Sequence, residues 1–395
     1  MKQIGPGALV AAAFIGPGTV TLCSLTGYQY GYTLLWAMLF SIITTLALQE
    51  MSARLGVVSQ NGLGEAIRSI FKQPIVKALV ILLVFSAIVI GNAAYEAGNI
   101  SGAVLGLEQL APRLSSRLIA VLLGFLAFVL LLSGKYKLIE RLLIGLVLLM
   151  SVVFLLTAIL TQPNFKEVIA GLFQPQVEKG GWLFVIGLIG TTVVPYNLFL
   201  HASAVSERWK RVEDLPQVRF DTIFSILLGG IISMCIIVSA AAVGGSAGPI
   251  NNAADLAQSL ELSLGSAAAS FMAIGLFAAG LTSAITAPLA AAFAARGIFG
   301  WKKSMTDTKF RLVWMAVLLI GVVVASLGLK PILVIQFAQV ANGLILPFIT
   351  ILLMYIMNQG SIMGLYRNEN WQNFLAGLIL IATLFISGRT LINVF

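Results

Sequence analysis

The chain has 395 residues, 59% of them hydrophobic and only 10% charged, with a mean hydropathy of +1.00. Soluble domains carry roughly 25% charged residues, so this chain has no means of covering a water-facing surface, and lipid must cover it instead. The formal net charge of +9 would suggest nucleic acid in a soluble protein, but here it fits the gathering of positive residues in cytoplasmic loops, and no nucleic-acid partner is expected.

Crossing the hydrocarbon takes about 20 mainly apolar residues per helix. Such segments fall, in chain order, at 4–30, 34–54, 76–106, 116–133, 138–160, 180–206, 220–244, 265–295, 311–328, 331–357 and 371–393. All should be helical, since an open sheet cannot satisfy its backbone in lipid. The first lies behind a single lysine, Lys2, lacks a small-residue cleavage site, and reads as a retained span rather than a signal peptide. Cys23 and Cys235 sit inside apolar stretches, which argues against a disulfide framework.

With the N-terminus cytoplasmic, the inner loops hold most of the cations, among them Arg54, Arg68, Lys72, Lys77, Lys135, Lys137, Arg208, Lys210, Arg211, Arg296, Lys302 and Lys303. The outer set is Arg113, Arg117, Lys166, Lys179, Lys330 and Arg389. This bias predicts a cytoplasmic N-terminus and, with eleven spans, an external C-terminus.

Two segments carry breaks. Gly16-Pro17-Gly18, followed by Thr19, interrupts the first, and Val194-Pro195-Tyr196-Asn197 interrupts the sixth behind Thr191 and Thr192. Proline removes a donor and clashes with the preceding turn, and glycine lowers the cost of unwinding. Breaks in the first helix of each of two five-helix sets point to an inverted-repeat transporter with a midplane substrate site. The repeats are expected at about 4–160 and 180–357, with an extra helix at 371–393.

Ionisable residues at membrane depth are costly unless employed. Glu96 is the clearest, with Asn92 and Asn99 on the same helix face; a proton or ion relay and a structural hydrogen bond are both open readings. His201, the only histidine, follows one turn after Asn197 and is a candidate switch near neutral pH or a packed neutral ring. Gln336, Gln339 and Asn342 line one face of the tenth segment. Glu50 and Arg54 are placed for an i,i+4 ion pair. A nucleotide-binding GxxxxGK[ST] loop is absent, as are HExxH, CxxC and serine-nucleophile signatures, so neither ATP drive nor an intramembrane enzyme is expected and no cofactor is implied.

At these residues the chain resembles the Nramp family of proton-coupled divalent-metal transporters. Gly5-Pro6-Gly7 leading to Gly16-Pro17-Gly18-Thr19 is similar to the family's Asp-Pro-Gly-Asn break, and Val194-Pro195-Tyr196-Asn197-Leu198-Phe199-Leu200-His201 to its Met-Pro-His-Asn-Leu-Tyr-Leu-His segment. Gly31-Tyr32 to Leu34-Leu35-Trp36, Gln49 to Gly56, Gly275 to Thr286 and Leu346-Pro347-Phe348 extend the likeness over nearly the whole chain. The resemblance implies an all-α LeuT-like fold, two inverted five-helix repeats plus an eleventh helix, with spans one and six broken. It also implies an integral protein of a bacterial plasma membrane.

The departures bear on the cargo. The family holds metal with the Asp and Asn of span one, the Met of span six and a nearby backbone carbonyl; these side-chain positions are Gly16, Thr19 and Val194 here. Divalent cations favour carboxylate or, for softer ions, sulfur ligands, so no metal ligands are assigned. The expected function is therefore a proton-linked secondary transporter of a small organic solute, such as an amino acid or carboxylate, with divalent manganese, iron or magnesium as the alternative cargo. Substrate contacts are expected from Gly16, Pro17, Gly18, Thr19, Val194, Pro195, Tyr196, Asn197, Gln339 and Asn342, and a proton pathway from Glu96, His201, Asn92 and Asn99.

Overall fold

The computed structural model describes residues 5–394 except 112, 134–135, 179, 244–266 and 302–303. Lys2, Lys135, Lys179, Lys302 and Lys303, counted above for orientation, lie outside the described residues. Among those described, nine helices are long and apolar enough to cross a membrane. A tenth span is the bent pair Pro6–Phe14 and Pro17–Tyr30, and the 17-residue apolar helix Ser116–Leu132 occupies the place of the fourth. The chain is thus an all-helical membrane protein, with spans in the order inferred from hydropathy.

Both breaks have the same local cause. Gly16 and Val194 each precede a proline, which pushes the preceding residue out of the helical region; they are extended, with ψ of −178° and 120°. Pro17 and Pro195 then start the second half-helices, where a missing N–H costs nothing. The unwound stretches are shorter than the sequence suggests. Tyr196 and Asn197 already belong to the first turn of Pro195–Arg208, leaving Val193 and Val194 between the halves. The two breaks also differ in bend: span one turns by 51°, whereas Trp182–Arg208 stays straight enough to count as one span.

Three boundaries move for electrostatic or capping reasons. Span two, expected to end at Arg54, runs Leu35–Ser59. Arg54 is buried within it, 3.1 Å from Glu50 and hydrogen-bonded to the Asn368 side chain and the Tyr366 carbonyl. Span eight runs Ala267–Phe299 past Arg296, whose guanidinium pairs with Glu207 at 2.8 Å and lies 4.7 Å from the Phe293 ring centre. A charge with such partners can stay in the helix. Span seven, Leu215–Val243, begins five residues before the expected position, directly after the turn Val212–Asp214.

Spans three and eight pack along one another at the centre of the molecule. Span one lies against spans seven and eight, and the Trp182–Thr192 half of span six lies against span ten. Close approach of spans six and ten needs glycine: a β-carbon at Gly190 would fall 1.9 Å from the Gln339 carbonyl oxygen. The helices Ser116–Leu132 and Tyr136–Leu160 carry many of the exposed leucines and valines, among them Leu118, Val121, Leu148 and Val152.

Candidate functional site

The two breaks meet inside the bundle, and hydroxyls tie them together. Thr19 donates to the carbonyl of Phe14 across its own break, and its oxygen lies 2.8 Å from the Thr191 hydroxyl of span six. Tyr196 donates to the carbonyl of Ala13 at 3.3 Å. Its ring meets Tyr95 of span three edge-on, with centres 5.4 Å apart.

Around these ties stands a set of buried polar atoms with no hydrogen-bond partner in the protein. They are both side-chain atoms of Asn197, the Ser283 hydroxyl, Gln339 Oε1, Asn342 Nδ2, the Tyr95 hydroxyl and Glu96 Oε1. Buried polar groups are nearly always satisfied, so this concentration marks a place where a bound molecule or water completes the bonding. The spans supplying them are three, six, eight and ten, with span one between. Gly18 is in direct contact with Gln339, since a β-carbon there would lie 1.9 Å from its Nε2. Gly16 faces Ser283 and Asn99: its β-carbon position is 2.4 Å from the Ser283 oxygen and 3.8 Å from Asn99 Oδ1.

The substrate residues expected from sequence therefore converge: Gly16, Gly18, Thr19, Tyr196, Asn197, Gln339 and Asn342 are grouped at the breaks, while Pro17, Val194 and Pro195 shape the backbone. Ser283 and Tyr95 were not among them. Ser283 lies in a span dotted with Ser and Thr, where only the packed partner reveals which hydroxyl faces inward.

The proposed proton-pathway residues divide. Glu96 is fully buried with its stem packed on Gly321 of span nine, takes the Asn99 amide at 3.0 Å on one oxygen, and leaves the other without a partner. Asn92 points elsewhere, donating to the Ala287 carbonyl of span eight at 3.0 Å. His201 packs between spans two and seven, with Nδ1 2.9 Å from Gln49 and Nε2 3.4 Å from Thr222. Both its nitrogens are occupied away from the cluster. No group of three or more His, Cys, Asp or Glu side chains is gathered for a metal among the described residues, so any cation here would meet neutral oxygens and, at most, the Glu96 carboxylate.

The natural resistance-associated macrophage protein-like (Nramp) family model matches residues 7–393. The chain is 30% identical to the divalent metal cation transporter MntH of Bradyrhizobium diazoefficiens, over 99% of this chain and 90% of that one. In fold it is similar to the crystal structure of the Eremococcus coleocola manganese transporter, with a TM-score of 0.83 at 24% identity, covering 97% and 84% of the two chains. It is also similar to MhsT in complex with L-phenylalanine, with a TM-score of 0.67 at 18% identity, covering 96% and 98%. The second likeness places the bundle with LeuT-like transporters in fold alone. The chain belongs to the Nramp family of membrane transporters.

Proposed function

We propose that this chain is a proton-linked secondary transporter of a divalent metal cation, with a site rebuilt from neutral oxygens around a single carboxylate. The cargo is the one for which its full-length relatives are named, and on that ground it is preferred to the organic solute expected from sequence. The observation that carries the reading is the cluster of partnerless polar atoms at the two breaks. Asn197 Oδ1, Gln339 Oε1 and the Ser283 oxygen can each accept from a cation's water or face the ion directly. Glu96 supplies the negative charge, and its proton is the natural one to exchange for the cation. With no acid or sulfur at Gly16, Thr19 and Val194, the ion keeps part of its hydration, which suits magnesium, a reluctant dehydrator. The substrate site comprises Gly16 to Thr19, Val194 to Asn197, Ser283, Gln339 and Asn342. The proton route runs through Glu96 and Asn99, while Asn92 and His201 are engaged outside it by Ala287, Gln49 and Thr222. The membrane is the bacterial plasma membrane, with the N-terminus cytoplasmic.

A second reading, transport of a small amino acid or carboxylate, is favoured by one observation. The half-helices Pro17–Tyr30 and Pro195–Arg208 begin without any side-chain cap, and uncapped N-termini attract anionic groups. Uptake into proteoliposomes separates the two. Magnesium or manganese uptake above protein-free vesicles supports the metal reading. Uptake of an amino acid or carboxylate with no divalent uptake replaces it with the second.

A further inference from the structure

The C-terminal end of the Pro6–Phe14 half-helix is a pole of the site that attracts cations, because its last carbonyls lack intrahelical donors and carry partial negative charge. In this chain two of those carbonyls are already taken. Ala13 accepts from Tyr196 at 3.3 Å and Phe14 accepts from Thr19. A hydroxyl has one proton, so Thr19 is spent on Phe14, and the 2.8 Å contact with Thr191 is filled by the proton of Thr191. The tyrosine cap is held in place: Tyr196 is buried, sits in the first turn after Pro195, and rests edge-on against Tyr95.

We infer that Tyr196 is a specificity-determining residue of the transport site. By donating to the Ala13 carbonyl it engages one of that oxygen's two lone pairs and competes there with an arriving cation, and Thr19 does the same at Phe14. This rests on the divalent-cation reading above and adds which ions the site refuses. An ion that gathers many protein oxygens, as calcium does with about six to eight, finds the carbonyl pole weakened. An ion that travels with its own water does not need it.

The test is calorimetric titration of the purified full-length protein with manganese chloride and calcium chloride, comparing wild type with Tyr196→Phe and Thr19→Val. Phe keeps the ring packing on Tyr95 and frees the Ala13 carbonyl. Expected is calcium binding roughly two- to tenfold tighter in Tyr196→Phe, the gain from releasing one hydrogen-bonded carbonyl, with a smaller gain for manganese. Unchanged or weaker binding in a variant that melts like wild type overturns the inference. Should Tyr196→Phe fail to fold, Thr19→Val frees Phe14 and is read in the same way. If wild type binds no divalent ion while either variant does, the inference stands and the proposed cargo falls; if neither wild type nor variants bind, both fall.

Discussion

Asp221 of span seven accepts the backbone N–H of Gly7 at 2.7 Å and, with its other oxygen, that of Gly5 at 2.8 Å, so a buried carboxylate holds the start of span one. A carboxylate accepting two amides at a helix N-terminus is a strong, charge-assisted anchor. In an inverted-repeat transporter access alternates as one bundle rocks against the other around the fixed site, so a tie between spans one and seven bears on that motion. Asp221→Ala should therefore loosen the start of span one and lower the melting midpoint, at a cost of about 1.5–3 kcal/mol per charged hydrogen bond lost. A single cysteine at Ala12, buried in the parent structure, should become more reactive to a membrane-impermeant thiol reagent in the Asp221→Ala background. Unaltered reactivity and melting would show that the anchor is redundant.

Gly18 is the tightest point between span one and span ten. A valine there would drive its β-carbon to within 1.9 Å of Gln339 Nε2 and 2.6 Å of its Cδ. Gly18→Val should abolish uptake while the protein still elutes as a folded species on size exclusion, because a side-chain amide, not backbone, receives the clash. Combining Gly18→Ala with Gln339→Ala should recover the fold without recovering full uptake, since Gln339 Oε1 belongs to the proposed site.

Glu96 is the carboxylate at the unpartnered cluster. Glu96→Gln keeps the shape and the contact with Asn99 while removing the charge and the exchangeable proton. Transport by Glu96→Gln should be strongly reduced, and what remains should lose its dependence on pH when measured in vesicles from pH 5.5 to pH 8 (about 2.5 decades in proton activity, spanning the unperturbed histidine value and lying above the unperturbed carboxylate values). His201→Ala should retain a pH-dependent profile, because both His201 nitrogens are held by Gln49 and Thr222 away from the breaks. An unaltered profile in Glu96→Gln would reduce this residue to a structural hydrogen bond.

The substitutions Gly16→Asp, Thr19→Asn and Val194→Met would restore the ligand types of the family pattern, but a β-carbon at Gly16 would lie 2.4 Å from the Ser283 oxygen. The triple variant alone should therefore fail to bind manganese at micromolar concentration. Adding Ser283→Gly should permit it, measured by the same titration. Tight binding by the triple variant without a change at Ser283 would mean span eight yields more easily than its packing against span three implies.

Much of the fold was legible from the sequence, because hydropathy and proline act locally. The span order follows from apolar length alone, and both breaks follow from a proline that removes a donor and forces its predecessor to extend. The boundaries at Arg54 and Arg296 were not legible, since beyond the Glu50–Arg54 pair visible in the sequence each arginine is held in its helix by a distant partner, Asn368 for Arg54 and the carboxylate of Glu207 for Arg296. The site was half legible. Thr19, Asn197, Gln339 and Asn342 announce themselves as polar residues beside a break or on one face. Ser283, Tyr95 and Asp221 acquire meaning only from what lies across from them, and the capping of Ala13 by Tyr196 joins residues 183 positions apart.

The central claim, that the remodelled site couples the movement of a divalent cation to that of a proton, is tested most directly by intravesicular pH. Proteoliposomes containing a trapped pH-sensitive dye receive magnesium or manganese outside, with an inward proton gradient and no other permeant solute. If cation and proton move in opposite directions, the lumen becomes more alkaline on cation addition; if they move together, it acidifies. Either response, present in wild type and absent in Glu96→Gln, agrees with the account. A lumen whose pH responds to an amino acid or carboxylate but to no divalent cation would contradict it.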